Sequence, residues 1–251
     1  MMSLIKVERI KLLSTKSPYW CVASILVASV LIALVIGLSD HGSQATTVNG
    51  VSGVNLGKSV FMIIAALAVT TEYRFNTMKS TFLAAPHRVN VLLAKTVLLA
   101  VFGAVLGFVC AIAAFFLTKA LATNPPIPLV LEGEVWREVA GYAALFAIAA
   151  VIAVAVGTLL RQSAGAISLL LVWSLLFESL FQLIPKVGDK IHAWMPFTAG
   201  TEFVSPTSNV ETVGRATTSG GPTPIQGLLV FLATGIVLWL IAAVVLNKRD
   251  A

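Results

Sequence analysis

The chain alternates long apolar blocks with short polar stretches rich in turn-forming residues, and the blocks are too long for strands. A helix needs about 20 apolar residues to cross about 30 Å of hydrocarbon at 1.5 Å per residue. Runs of that kind recur at Trp20 to Leu38, Leu56 to Thr71, Val89 to Leu117, Val139 to Leu160, Ala164 to Ile184 and Ile225 to Leu246. "DHGSQATTVNG", "TNPPIPL" and "TTSGGPTP" separate them, as turn chemistry requires. The blocks are continuously apolar and do not alternate with period two, which argues against a closed barrel. The pattern predicts an all-α polytopic membrane protein with six transmembrane helices, read as a single domain over residues 1–251.

Composition agrees on the solvent. The chain is 58% hydrophobic and 11% charged, where a soluble domain carries about 25% charged residues. Basic residues collect on the cytoplasmic face of membrane proteins. With both termini inside, that face holds Lys6, Arg9, Lys11, Lys16, Arg74, Lys79, Arg88, Lys95, Arg161, Lys248 and Arg249, but only Glu8, Glu72 and Asp250 among the acids. It therefore carries +8 and the rest of the chain −2, together the net +6. The basic excess fits topology and lipid headgroups and gives no reason to invoke nucleic acid. The first block is longer than a signal core and lacks a small-x-small site before Asp40, so it is expected to stay as a helix. Cys21 and Cys110 both fall in apolar blocks and are expected to pack.

Several motifs fail. "GVNLGKS", Gly53 to Ser59, has three residues between its glycines where a phosphate-binding loop needs four. Lys58 and Lys95 then read as snorkelling side chains. His41, His87 and His192 have no metal spacing, and no paired carboxylate or nucleophile constellation points to an enzyme.

Charge breaks the apolar pattern most sharply in "VTTEYRFNTMKSTFLAAPHRVNVLLAK", Val69 to Lys95. On a helix at 100° per residue, Phe75, Met78 and Phe82 fall within about 60° of one another, with Glu72, Asn76 and Lys79 on another face. Pro86 should end the helix before the third span. The segment predicts a short amphipathic helix along the inner membrane surface; a basic loop that only sets topology explains the same charges.

"TEYRFNTMKSTFLAAPHR" followed by "VLLAK" resembles the segment after the second span of permease subunits in the ABC type-2 transporter family, especially actinobacterial ones. Glu72, Tyr73, Arg74, Thr77, Lys79, Thr81, Phe82, Pro86, Arg88 and Lys95 carry the match. Asn76 departs from it, since such permeases often have glycine there. The six-span plan and "VERIKLLSTKSPYW" extend the resemblance over nearly the whole chain. It implies a cytoplasmic coupling segment, residues 72–88, pressed by a separately encoded ATPase subunit that holds ATP and Mg, this chain having no cofactor of its own. Glu72, Arg74, Thr77, Lys79, Thr81 and Arg88 would then form the interface, and Phe75, Met78 and Phe82 would anchor the helix. It also implies a second permease copy in a homodimer, a second interface helix within residues 1–18, and a bacterial plasma membrane location with both termini cytoplasmic. The apolar residues of that N-terminal helix do not gather on one face, and its lysines and arginine serve anionic headgroups equally well.

Inside the membrane, Gly103 and Gly107, then Ala149, Ala153 and Gly157, give small-residue spacing for close helix packing, within one chain or between two. Glu178 lies about two turns before Pro185, with Gln182 one turn on. A carboxylate there is costly unless it faces a cavity or partner. Lys186 or Lys190 could meet it, or it could sit near the translocation path or outer gate. The stretch from Pro185 to Pro206 is too apolar for a solvated loop; Ile191, Trp194, Met195, Phe197 and Phe203 predict segments that dip back toward the membrane, with Trp194 and Phe197 as gate candidates or interfacial anchors. In the related permeases this region, 185–224, forms short external helices. The favoured expectation is the membrane subunit of an ATP-driven exporter of a hydrophobic or amphiphilic cargo. An ion-coupled secondary transporter or channel is the alternative and would want more intramembrane charge.

Overall fold

The computed structural model describes residues 2–14, 16–39, 46–84, 88–123, 129–185, 187–205 and 221–248. Among them, six helices are long and apolar enough to cross a membrane. They are α2 (Ser17–Leu38), α4 (Ser52–Arg74), α6 (Arg88–Leu121), α7 (Gly133–Leu160), α8 (Ser163–Leu183) and α11 (Pro224–Lys248). Shorter helices are α1 (Met2–Ser14), α3 (Thr47–Gly50), α5 (Thr77–Ala84), α9 (Gly188–Ala193) and α10 (Pro196–Glu202). The chain is thus an all-helical six-span bundle. Among the described residues it has a short helix between the second and third spans and two between the fifth and sixth.

α7 is the central post, packing on α6, α4 and α11, while α2 lies across α4 and α6. Close approach depends on the small residues. A Cβ on Gly107 would fall 2.7 Å from both the Phe146 ring and the Tyr142 carbonyl oxygen, and one on Gly103 2.5 Å from the Phe61 ring. Ala149 and Ala153 are fully buried, and Gly157 faces the Ala66 backbone. This stripe packs within the chain, where van der Waals fit replaces the hydrophobic effect as the glue between helices.

Three contacts define one end of the bundle. Lys11 meets Glu72, the Arg88 guanidinium donates to the Leu246 carbonyl, and the Ser163 hydroxyl donates to Thr70. The N-terminal helix, the short α5, the α7–α8 junction and the end of α11 therefore lie together. α3, α9 and α10 belong to the opposite end.

At that far end α10 is held at both termini. Arg137 on α7 donates to the Phe203 and Ser205 carbonyls, supplying positive charge where helix carbonyls are left over. α10 also sits flush on α11, because a Cβ on Gly227 would fall 2.1 Å from the Ala199 carbonyl oxygen. Gly227→Ala is expected to lose about 1–3 kcal/mol by overpacking against backbone that has no rotamer to yield. Thermal unfolding in detergent, read against Gly165→Ala, where the nearest atoms are 3.6 Å or more from the new Cβ, checks this. Equal midpoints would mean the α10–α11 contact adjusts freely.

Candidate functional site

The predicted amphipathic helix starts later than expected. α4 continues through Glu72 and Arg74, and the break comes at Asn76, whose φ of 55° is left-handed. Asparagine tolerates that conformation better than most residues and glycine best. α5 then runs Thr77–Ala84. Glu72 and Arg74 thus belong to the last turn of the second span. Phe75 was expected to anchor the helix, but it projects outward at 68% exposed, and the inward position is taken by Met78 at 3%. The side chains of Lys79 and Phe82, and the whole of Pro86 and His87, lie outside the described residues.

Glu72 is buried, and it is part of a four-residue ion network. Lys95, on α6 and itself 4% exposed, places its ammonium 2.9 Å from Glu72 Oε1, 2.5 Å from Glu8 Oε2 and 3.1 Å from the Ala68 carbonyl. An ammonium has three N–H donors, and all three are used. Lys11 on α1 repeats the arrangement, donating to Glu8 Oε1 at 3.1 Å, Glu72 Oε1 at 3.2 Å and the Thr81 hydroxyl at 3.3 Å. Lys95 is therefore no snorkelling lysine. Two acids and two bases cancel, so the burial of each charge is offset by its neighbours.

The network ties four elements into one unit. Glu8 and Lys11 come from α1, Glu72 from α4, Thr81 from α5 and Lys95 from α6. Thr81 also donates to the Thr77 carbonyl, and the Thr77 hydroxyl to the Glu72 carbonyl. Burial pulls the Lys11 ammonium down, but the Glu72 and Glu8 carboxylates outweigh it and hold its pKa above the ordinary lysine value. A raised lysine pKa contributes stability that is complete at neutral pH and fades only as pH climbs through the raised value.

Beside the network lies a groove of about 450 Å³ between α1, the start of α2, α4 and α6. Its walls are Leu12, Pro18, Ile64, Leu67, Leu98 and Leu99, and its polar end is formed by Glu8, Lys11, Glu72 and Lys95. Glu72 Oε2 is buried there with no hydrogen-bond partner.

A second charged cluster occupies the far half. Glu178 is 3% exposed. Its carboxylate accepts the Phe197 N–H at 2.9 Å, the Thr198 N–H at 2.7 Å and the Thr198 hydroxyl at 2.8 Å. It therefore caps the start of α10, whose first residue, Pro196, has no N–H to satisfy. Of the two expected lysines, Lys186 lies outside the described residues, and Lys190, on α9, forms no ion pair with Glu178. The cation that faces Glu178 is Lys58 on α4, 4% exposed and set 5.9 and 6.0 Å from the Phe197 and Phe231 ring centroids. Lys58 is buried among aromatic rings instead of snorkelling. Phe197 is buried and packs on Trp173 and Phe231; Trp194 is half exposed; Gln182 donates toward the His192 ring. Glu178 follows a π-helical turn, Trp173–Phe177, inside α8, a local widening frequent at functional positions.

Among the described residues no group of three or more His, Cys, Asp or Glu gathers as metal ligands. Sequence reasoning passed over Glu8 and Lys11. Their signal was Glu8 as the sole acid in a basic helix, with Lys11 one turn on. Searches against protein-family models and curated protein sequences return no match.

Proposed function

We propose that this chain is the membrane-spanning subunit of an ATP-driven exporter of the ABC type-2 kind, moving a hydrophobic or amphiphilic cargo. It would work with a separately encoded ATPase subunit and with a second copy of itself, in a bacterial plasma membrane with both termini cytoplasmic. The observation that carries the reading is the linkage of α5 to the bundle. α5 stands between two spans with exposed side chains, Leu83 at 88% among them, while hydrogen bonds run from Thr81 through Lys11 to Glu8, Glu72 and Lys95.

Mechanically, such a helix behaves as a lever. A slack loop would absorb a displacement, because loops sample many conformations at little cost. A push on α5 instead reaches, through the partly exposed Lys11, the buried Glu8, Glu72 and Lys95, whose separation is costly, so α1, α4 and α6 move with it. Arg74 and Leu83, both exposed, are the outward contact residues, and Thr77 and Arg88 hold the segment at its two ends. At the opposite end α10, fixed to α8 through Glu178, would close the path until the bundle rearranges.

The test uses Leu83→Cys in a Cys21→Ser, Cys110→Ala background. In intact cells a membrane-impermeant maleimide should leave position 83 unlabelled until the membrane is opened. A photo-crosslinker at the same position should capture an ATP-binding chain, and the captured yield should change with ATP. Labelling from outside, or full transport by the purified chain with no second polypeptide, would overturn the proposal and favour an ion-coupled carrier.

A further inference from the structure

We infer that the outer face of α1 is a docking surface for anionic phospholipid heads in the leaflet at that end of the bundle. This rests on the six-span bundle and is independent of the proposed ATP-driven function. On a helix turning about 100° per residue, the side chains of α1 fall into three sectors around the buried Glu8. Leu4, Ile5, Lys11 and Leu12 lie within about 60° of it and are partly buried. Arg9 and Lys6 lie about 100° and 160° round one side, and Val7 and Ile10 about 100° and 160° round the other. All four are exposed, Ile10 at 64%. This division is why the apolar residues of α1 gather on no single face. A basic stripe beside an apolar stripe suits a helix lying in the interface plane, its apolar side at the acyl boundary and its basic side among the headgroups.

The start of the first span fixes the depth. Tyr19 and Trp20, in the opening turn of α2, are 57% and 76% exposed, and such rings sit at headgroup level. Only residues 15 and 16 separate α1 from α2, so α1 shares that level. Charge then selects the head. Glu8 is the sole acid of α1, and it is turned inward onto Lys11 and Lys95. Lys6, Arg9 and Lys16 are exposed, and among the described residues no carboxylate pairs with them. Each basic side chain near an anionic surface favours it by about fivefold. Choline and ethanolamine heads cancel their own phosphate charge, whereas a glycerol head does not, so the surface prefers the anionic lipid by net charge.

The experiment places a photo-crosslinking residue at Ile10 of the full chain in vesicles of equal parts glycerol, choline and ethanolamine phospholipids with identical acyl chains. Mass spectrometry of the conjugate reads the captured head. The same residue at Leu229, exposed near the opposite end of α11, reports the bulk lipid. Capture of the glycerol lipid at Ile10 should exceed that at Leu229 by about tenfold. Salt of about 1 M, which shortens the reach of exposed charges to about 3 Å, should remove most of the excess. Lys6→Gln, Arg9→Gln and Lys16→Gln together should bring Ile10 to the Leu229 ratio while the thermal midpoint stays within a few degrees; if that variant does not fold, the salt series decides. Equal ratios at the two positions, an excess that survives neutralisation or salt, or no lipid captured at Ile10 would each overturn the inference. So would capture of a partner protein in place of lipid at Ile10 in cell membranes. Loss of ATPase crosslinking at Leu83 would leave it intact.

Discussion

Lys95→Met is expected to destabilise the folded chain by about 3–5 kcal/mol, the usual consequence of removing one partner from a buried ion network. The substitution nearly conserves volume, so the loss reports charge. Glu8 and Glu72 would remain buried with only Lys11 between them, and the Ala68 carbonyl would lose its donor. Unfolding in detergent, followed by helical signal, measures the effect. Adding Glu8→Gln should recover much of it, since Glu72 and Lys11 then balance as a single pair. The same double variant separates stability from coupling. On the proposed function it folds, yet it transmits less of the α5 displacement to α6, so ATP turnover by the partner rises relative to transport. A near-neutral Lys95→Met would mean that the network is solvated and carries no load.

The six spans were legible because the bilayer imposes a length and a continuous apolar run, neither of which depends on a partner elsewhere in the chain. The short helix between the second and third spans was legible in kind but misplaced at its start. A template of 100° per residue carries Glu72 and Thr77 along one unbroken helix, whereas the left-handed Asn76 resets the phase. That reset explains why Phe75 points outward while Met78 is buried. Asn76 was visible as a departure, but its meaning needed the backbone angle. The charged residues show the opposite limit. Lys95 and Glu8 are 87 positions apart, and Glu178 and Thr198 are 20 apart; no local pattern reports such pairings. For Lys58 and Lys95 the general expectation that lysines near helix ends reach for the interface gave the wrong answer, because the fold supplies Lys95 with two carboxylates and seats Lys58 between the Phe197 and Phe231 rings within the field of Glu178. The glycine and alanine stripe could serve one chain or two. Only the Phe146 and Phe61 rings, seated over Gly107 and Gly103, show that the close approach is internal.

Glu178→Gln is expected to be the second large effect, and it differs from its partner's variant in a way that identifies the capping role. The carboxylate is an acceptor at both oxygens and takes three hydrogen bonds from the start of α10. Glutamine offers one acceptor and turns an NH₂ toward an N–H or O–H donor, so at least one α10 donor is left buried and unmatched. Hydrogen bonds to a charged acceptor contribute about 1.5–3 kcal/mol, and Lys58 also loses its nearby carboxylate. A loss of about 3 kcal/mol follows. Lys58→Met should cost much less. Glu178 keeps all three α10 donors in that variant, and methionine suits a place between the Phe197 and Phe231 rings. Hydrogen exchange supplies the local readout: the Phe197 and Thr198 amides should exchange faster in Glu178→Gln and be little changed in Lys58→Met. The double variant should be more stable than Glu178→Gln alone, because no uncompensated cation is left inside the bundle. Equal losses from the two single changes, with no faster exchange at Phe197 and Thr198, would show that Glu178 serves mainly as a counter-charge to Lys58. The far-end helix would then be held by Arg137 and by its packing on α11.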